Sequence, residues 1–386
     1  MSYPKMVRIR QKLDDTRVGD IDAAIKSEMA RVGLASRVRP GSRVAITGGS
    51  RGVTDIVRAL AAVVREVKAV GAEPFIVPAM GSHGGATAEG QINVLKEYGV
   101  TRESVGAPIV SSMETVQIGQ TPSGIPVKID KNAFEADHII VVNRIKPHTE
   151  FEGCIESGLM KMMVIGLGKH QGALVAHRYA VKLGYERTIT EIGAAILEKA
   201  PVVLGVGIVE NGFGQTAKIA VVEPKDFYET EKALLVEAKA KVAKLPFDRM
   251  DVLIVDELGK EISGSGMDTK VVGRIMNIYE LEVDRPRITR IFLRDLSPHT
   301  GGNAVGVGLA DFVTRRLADK IDPVSTYINS YTGGSPEKGR LPMVYDTDRE
   351  AMDIALATVG PVEPETVKIV RVKNTSKLGE MMISQG

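Results

Sequence analysis

Twice near its start this sequence repeats one construction: a short apolar run, a glycine-rich turn, and then a stretch of helical period. Arg43 to Thr47 leads through GGSRGVTD into Thr54–Val70, and Pro74 to Ala79 leads through MGSHGGATAEGQ into a helix ending near Tyr98. A continuous apolar strand is buried on both faces, and the helix that follows supplies one of the covers. Parallel neighbours need such crossover helices, and they bring the loops that follow each strand to one edge of the sheet. The expected class is therefore α/β with mainly parallel sheets.

The rest of the chain extends that pattern. Met6 to Arg10 reads as a first strand, and Asp20 to Val32 puts Ile21, Ala24, Ile25, Met29 and Val32 on one helical face. Glu114 to Asp130 alternates around Pro122-Ser123-Gly124 as a β-hairpin, and the strand Asp137 to Val142 follows, with His138 leading into it as a structural residue. Glu156 to Val181 reads as helical with breaks at Gly166, Gly168 and Gly172. A helix Arg187–Lys199, strands Val202–Val209 and Ala217–Val222, and a helix Asp226–Ala243 complete residues 1–246 as one α/β domain. After the Leu245-Pro246-Phe247 break, residues 247–386 read as a second α/β domain that closes over an active-site cleft between the two. Its expected elements are strands Asp251–Asp256, Thr289–Leu296 and Thr366–Val372 and helices Ala304–Ala318 and Thr347–Ala357, with Asn329–Pro342 irregular.

Composition removes several functions. Fifty basic residues against 48 acidic ones give no field to attract nucleic acid or an anionic membrane, and 4% aromatics without Trp leave no stacking platforms for single strands. One cysteine excludes a disulfide framework, a thiolate zinc site and a cysteine-ligated iron–sulfur cluster; Cys154 reads as a small buried thiol. The charged N-terminus lacks the apolar run of a signal peptide, and no eighteen uncharged apolar residues follow one another, so a cytoplasmic protein is expected.

Against this ordinary background, Asn143 to His177 (NRIKPHTEFEGCIESGLMKMMVIGLGKHQGALVAH) stands out, holding His148, His170 and His177 of the six histidines together with Lys146, Lys161 and Lys169. His148 follows a strand, as does His83 in its own glycine-rich loop, and Arg51 sits on the first strand-end turn. That turn lacks the GxGxxG spacing of a dinucleotide site, but a guanidinium there can grip a carboxylate or phosphate bidentately. On one edge of a parallel sheet these residues converge. Two histidines from different loops can act as acid on one face of a substrate and base on the other. A further imidazole can hold a metal. The residues alone point to a small-anion enzyme, and two chemistries stay open. One is proton transfer by the histidine pair; the other is a hydrolase or lyase reaction at a zinc or iron ion held by His148, His170 and His177.

The motifs GSH at Gly81–His83, KPHTEFEG at Lys146–Gly153 and SGLMK at Ser157–Lys161, followed by His177, resemble those of the nickel-pincer lactate racemase family. Sixty-five residues separate His83 from His148, and sixteen separate Lys161 from His177, in keeping with that family. The resemblance implies a racemase or epimerase of a 2-hydroxy acid that uses a nickel-pincer nucleotide (pyridinium-3-thioamide-5-thiocarboxylic acid mononucleotide) delivered by cofactor-biosynthesis enzymes. It implies Lys161 as the covalent tether, His177 as the nickel ligand, and His83 and His148 as the acid/base pair. Arg51 would bind the substrate carboxylate beside the cofactor, and Lys270 would reach the substrate from the second domain. SGLM in place of Gly-Gly-Arg before Lys161 leaves Lys169 as a second candidate tether, and GSRG at Gly49–Gly52 and SGSGMDTK at Ser263–Lys270, in place of the family's Thr-Arg-Pro and Tyr-Gln-containing elements, imply a different substrate pocket. The resemblance assigns no role to His170 or His299.

Overall fold

The structure is a computed structural model and describes residues 3–50 and 52–386; Arg51 therefore lies outside the described residues. The chain divides into two compact units. One comprises Asp14–His148 and Glu152–Val242; the other comprises the N-terminal segment up to Leu13, Thr149–Phe151 and Ala243–Gly386. Strand β1 (Met6–Arg10) opens the chain, and the next seven strands belong to the first of these units.

That unit is built on β2 (Arg43–Gly48), β3 (Glu73–Pro78), β6 (His138–Arg144), β7 (Val202–Glu210) and β8 (Thr216–Val222), in the order β3-β2-β6-β7-β8. All neighbours are parallel except β7 and β8. The intervening β4 (Thr115–Gln120) and β5 (Pro126–Asp130) form the expected hairpin, turned at Gly124 with a left-handed φ of 76°. Val44 and Ile46 of β2 and Val63 and Val67 of the helix Ile56–Ala69 share one core with Ile25 and Met29 of the helix Ile21–Arg31. Each fully buried aliphatic side chain of this kind contributes about 1.5–3 kcal/mol.

The order of strands reverses between β2 and β6, because β3 lies on one side of β2 and β6 on the other. At such a point in an open α/β sheet the crevice outside the strand ends is free for a ligand. Here the strands also part. Their registered pairing runs only from Val44↔His138 to Ile46↔Ile140. Next, the buried hydroxyl of Thr47 accepts from the Val142 amide (2.8 Å) and donates to its carbonyl (3.1 Å). A side chain thus replaces ladder bonds and keeps the splayed backbone satisfied.

In the other unit, β9 (Arg249–Leu258), β10 (Arg287–Leu296), β11 (Phe312–Thr314), β12 (Met343–Tyr345), β13 (Ile369–Val372) and β14 (Glu380–Ser384) join β1 in a seven-stranded sheet ordered β1-β14-β13-β9-β10-β11-β12. From β13 to β12 the neighbours are parallel, and β14 and β1 are added antiparallel. Along β9 and β10 the two faces alternate: Leu253, Val255, Ile291 and Leu293 enter one core, and Val252, Ile254 and Phe292 enter the other. Buried faces on both sides explain the unbroken apolar runs of these strands. Thr149–Phe151 pack within this unit, with Phe151 buried and Glu150 ion-paired to buried Lys338.

Several local expectations give way. The strand β1, read as the start of the first domain, pairs with the far end of the chain because the ladder partner it needs is β14. No helix spans 304–318. Gly306 takes a φ of 92°, and Phe312–Thr314 is a buried strand before a single turn at Arg315–Ala318. Asn329–Thr332, the start of the segment read as irregular, closes a helix, Pro323–Thr332, that begins with Asp322 accepting from the Val324 and Ser325 amides. Among the described residues no helix is long and apolar enough to cross a membrane.

Candidate active site

The crevice where β2 and β6 part is a cavity of about 130 Å³, entirely within the first-described unit. It is bordered by Gly49 and Ser50 after β2, Met80 and His83 after β3, Arg144 at the end of β6, and Lys161. Thus two sequence-predicted residues, His83 and Lys161, face one space.

His83 stands in the loop after β3. This loop needs its glycines: Gly81 and Gly84 have φ of 62° and 66°, and a Cβ on Gly84 would collide with the backbone of Gly90 and Gln91. The close approach seats the loop on the helix Ala88–Glu97, whose Thr87 cap accepts from the Gly90 amide at 3.0 Å.

His148 lies in a loop closed at its base, where the amides and carbonyls of Lys146 and Ser157 pair in both directions at 2.9 and 3.2 Å. Fully buried Glu156 holds the loop from inside, accepting from the His148 amide at 2.5 Å and the Gly153 amide at 3.2 Å. Lys239 of the helix Phe227–Lys241 neutralises that carboxylate at 2.6 Å. The closed loop returns the chain so that Nζ of Lys161 meets Nε2 of His148 in a hydrogen bond.

Lys161 ends the single helical turn Leu159–Lys161, which runs directly into a π-helical turn, Met162–Gly166. Such turns are uncommon and recur at functional sites. Buried Glu231 accepts from the Met160 amide at 2.8 Å at the start of that turn. Gly158 is required beside it, because a Cβ would overlap the carboxylate. Burial pushes the Glu231 carboxyl up to about 7, against the lowering effect of the Met160 and Leu159 amides.

His177 lies on the helix Lys169–Leu183, edge-on to Tyr185 with ring centroids 5.9 Å apart, and the Tyr185 hydroxyl is 3.5 Å from its Nδ1. Burial, and then the positive charge of Lys161, depress its pKa to about 4. The imidazole is therefore neutral at physiological pH, with a lone pair to offer.

Lys169 is enclosed: it is fully buried, with Nζ bonded to the Pro78 carbonyl at 2.6 Å and to Gln91 at 2.9 Å and ion-paired with Asp130 at 3.2 Å. His170 is half-buried, and its Nδ1 finds no hydrogen-bond partner among the described residues. Lys270 and His299 lie in the other unit, Lys270 in the short helix Thr269–Val272 and His299 exposed in a turn after β10. Cys154, read as buried, is exposed, its amide donating to Glu186 at 3.1 Å, because it sits on the outer part of the closed loop. His138 starts β6.

The conventional metal site does not form. Among the described residues no three His, Cys, Asp or Glu side chains come together as a group able to hold an ion, so His148, His170 and His177 are not a zinc or iron triad. Their backbones lie in a closed loop, at a helix start and two turns further along, and the left-handed break at Lys169 (φ 54°) separates the first from the others.

Glu156, Glu231, Gln91 and Arg144 were not singled out by sequence. Two carried a signal: Glu231 interrupts the apolar stripe Phe227, Leu234, Leu235 and Ala238 of its helix, and Gln91 lies one turn before Leu95 on a buried face. A polar residue on an apolar stripe must find a buried partner. Arg144 gave none; it ion-pairs with Glu210 at 2.5 Å at the cavity edge.

Residues 6–188 match the lactate racemase N-terminal domain family. Over those residues, just under half of the chain, it is similar to a lactate racemase N-terminal domain. The matched segment includes His83, His148, Lys161 and His177. The fold agrees over nearly the whole chain with the lactate racemase apoprotein of Thermoanaerobacterium thermosaccharolyticum, at a TM-score of 0.56 and 15% identity over 97% of this chain and 98% of that one. It agrees as well with a structural-genomics protein from Thermotoga maritima, at a TM-score of 0.57 and 13% identity over 95% and 99% of the two chains. No curated protein matches the sequence.

Proposed function

We propose that this protein is a racemase or epimerase of a 2-hydroxy acid, working by reversible hydride transfer with a nickel-pincer nucleotide. The observation that carries the reading is the grouping around Lys161: its amine shares a cavity with His83, is hydrogen-bonded to His148, and lies close enough to His177 to depress its pKa.

The donor set fits such a group. A cofactor that brings its own sulfur and carbon donors asks the protein for one amine to tether it and one neutral imidazole. Lys161 and His177 are that pair, while the lack of a three-residue metal cluster among the described residues suits a metal held mostly by its cofactor. The chemistry supplied by the bound group is reversible acceptance of the substrate's Cα hydride.

The remaining work falls to the chain. His83 and His148 come from separate strand-end loops, so one imidazole can take the proton of the substrate hydroxyl and the other can serve the opposite enantiomer. A reaction that runs equally well both ways suits two bases of one chemical type. Glu156 fixes the backbone of His148, and Glu231 fixes the turn that presents Lys161. Arg51 is proposed to bind the substrate carboxylate, and Lys270 is proposed as a second substrate-binding residue. The partners would be a small 2-hydroxy acid and the enzymes that deliver the cofactor.

The test is a panel of 2-hydroxy acids, from lactate and malate to aldonates, incubated with protein from a nickel-replete, cofactor-producing host. Exchange or inversion at Cα of one acid is expected. Nickel-loaded protein inert toward the whole panel would defeat the proposal.

A further inference from the structure

Lys169, left over once Lys161 is taken as the tether, heads a network with no solvent exposure. Its Nζ donates to the carbonyl of Pro78, the last residue of β3, and to Oε1 of Gln91, and lies 3.2 Å from Asp130. Gln91 turns its Nε2 to the carbonyls of Gly81 at 2.9 Å and His83 at 3.4 Å. Lys169, Gln91 and Asp130 are each fully buried. Two side chains thus hold three carbonyls of one strand-end loop, and the helix that carries His177 begins at one of them.

Two features show that this arrangement is specified. Lys169 has a left-handed φ of 54°, which is costly for an L-residue and persists only where the surroundings over-determine it. The loop itself contains left-handed Gly81, Gly84 and Gly85, and glycines leave a backbone with little preference of its own. The loop's own bonds, from the His83 amide to the Met80 carbonyl at 3.2 Å and from the Ala86 amide to the Ser82 carbonyl at 3.1 Å, join it only to near neighbours in sequence. A buried lysine, carboxylate and carboxamide also cannot be shed to solvent, so their hydrogen bonds are obligatory.

We infer that Gln91 and Lys169 are positioning residues that fix the loop bearing His83, with Lys169 acting from behind the loop while Lys161 faces the cavity. The inference rests on the reading of His83 as an acid–base residue. Gln91 matches the task because a carboxamide both accepts from an ammonium and donates to carbonyls.

The test uses Gln91→Met, which keeps volume, removes both ends of the bridge and leaves the Lys169–Asp130 pair intact. Amide hydrogen exchange, read by NMR on the full chain without cofactor, should quicken at least tenfold at Gly81, His83 and Ala86 while Val142 stays unchanged. In the loaded enzyme kcat should fall about tenfold with KM within twofold, since the base is misplaced and substrate binding is not. If Gln91→Met does not fold, the double variant Asp130→Asn/Lys169→Met removes the network without stranding a charge and takes the same measurements. Unchanged exchange at the three loop amides overturns the inference, as does a loosened loop with wild-type kcat or failure of both variants to fold, which would leave the network a purely structural role. Should wild type racemise nothing, the exchange result decides the placement of His83 separately from the reading of the reaction.

Discussion

Nζ of Lys161 and Nε2 of His148, thirteen residues apart in sequence, are joined by a hydrogen bond because the loop between them is closed by the Lys146–Ser157 bridge and held from within by Glu156. The amine proposed as the tether and an imidazole proposed as a base are therefore neighbours before any cofactor arrives. A lysine that becomes part of an amide-like linkage loses its charge, which frees the imidazole from a cationic neighbour.

Intact-mass and peptide measurement of protein from a nickel-replete, cofactor-producing host should show a covalent adduct on Lys161 and none on Lys169. Lys161→Ala should abolish the adduct. The buried amine of Lys169, bonded to Pro78 and Gln91, is out of reach of such a reaction, so an adduct there would reverse the assignment.

His83→Ala and His148→Ala should each lower the racemisation rate by about a hundredfold or more, the usual scale for loss of a general acid or base. The two variants should differ in which enantiomer suffers more, because the bases come from different loops. Initial rates measured from each enantiomer separately would show it; wild-type rates in either variant would remove that histidine from the mechanism.

Acid should destabilise the protein through His177. Its folded pKa, about 4, lies below the unfolded value of about 6.5. Between these values the unfolded chain binds a proton that the folded chain refuses, so stability falls as pH drops from about 6.5 to about 4, by on the order of 3 kcal/mol at most. Above that window this residue gives no pH dependence. Urea midpoints of wild type and His177→Gln should converge with falling pH across it; parallel curves would contradict the neutral imidazole.

Glu231 should act with the opposite sign. Its folded pKa, about 7, lies above the unfolded value of about 4.3, so the folded state holds the extra proton and stability is lost as pH rises from about 4.3 through 7. Glu231→Gln, which keeps an acceptor for the Met160 amide, should be more stable than wild type at pH 8 and about equal at pH 4. Gly158→Ala should destabilise by roughly 1–3 kcal/mol through overpacking against the carboxylate, and less in a Glu231→Ala background. Thermal melts across pH for wild type and these variants would test both statements, and an additive double variant would argue against contact between the two residues.

The sequence by itself determined the α/β class, the parallel strands, the hairpin and the loops that bear His83 and His148, because unbroken apolar runs, helical periods and glycine turns are local patterns with local causes. The family motifs drew attention to Lys161 and His177 on the same footing. Tertiary structure alone set the two lysines apart: Lys161 and Lys169 lie in one helical region and look alike in sequence, yet one faces a cavity and the other is enclosed by Asp130, Gln91 and Pro78 from other elements. It also decided against the three-histidine metal site, since a left-handed residue between His148 and His170 redirects the chain. The pairing of β1 with β14, and the burial of Glu156 and Glu231, followed the same rule. A charge's fate depends on which distant partners the fold brings to it, and no window of neighbouring residues contains them.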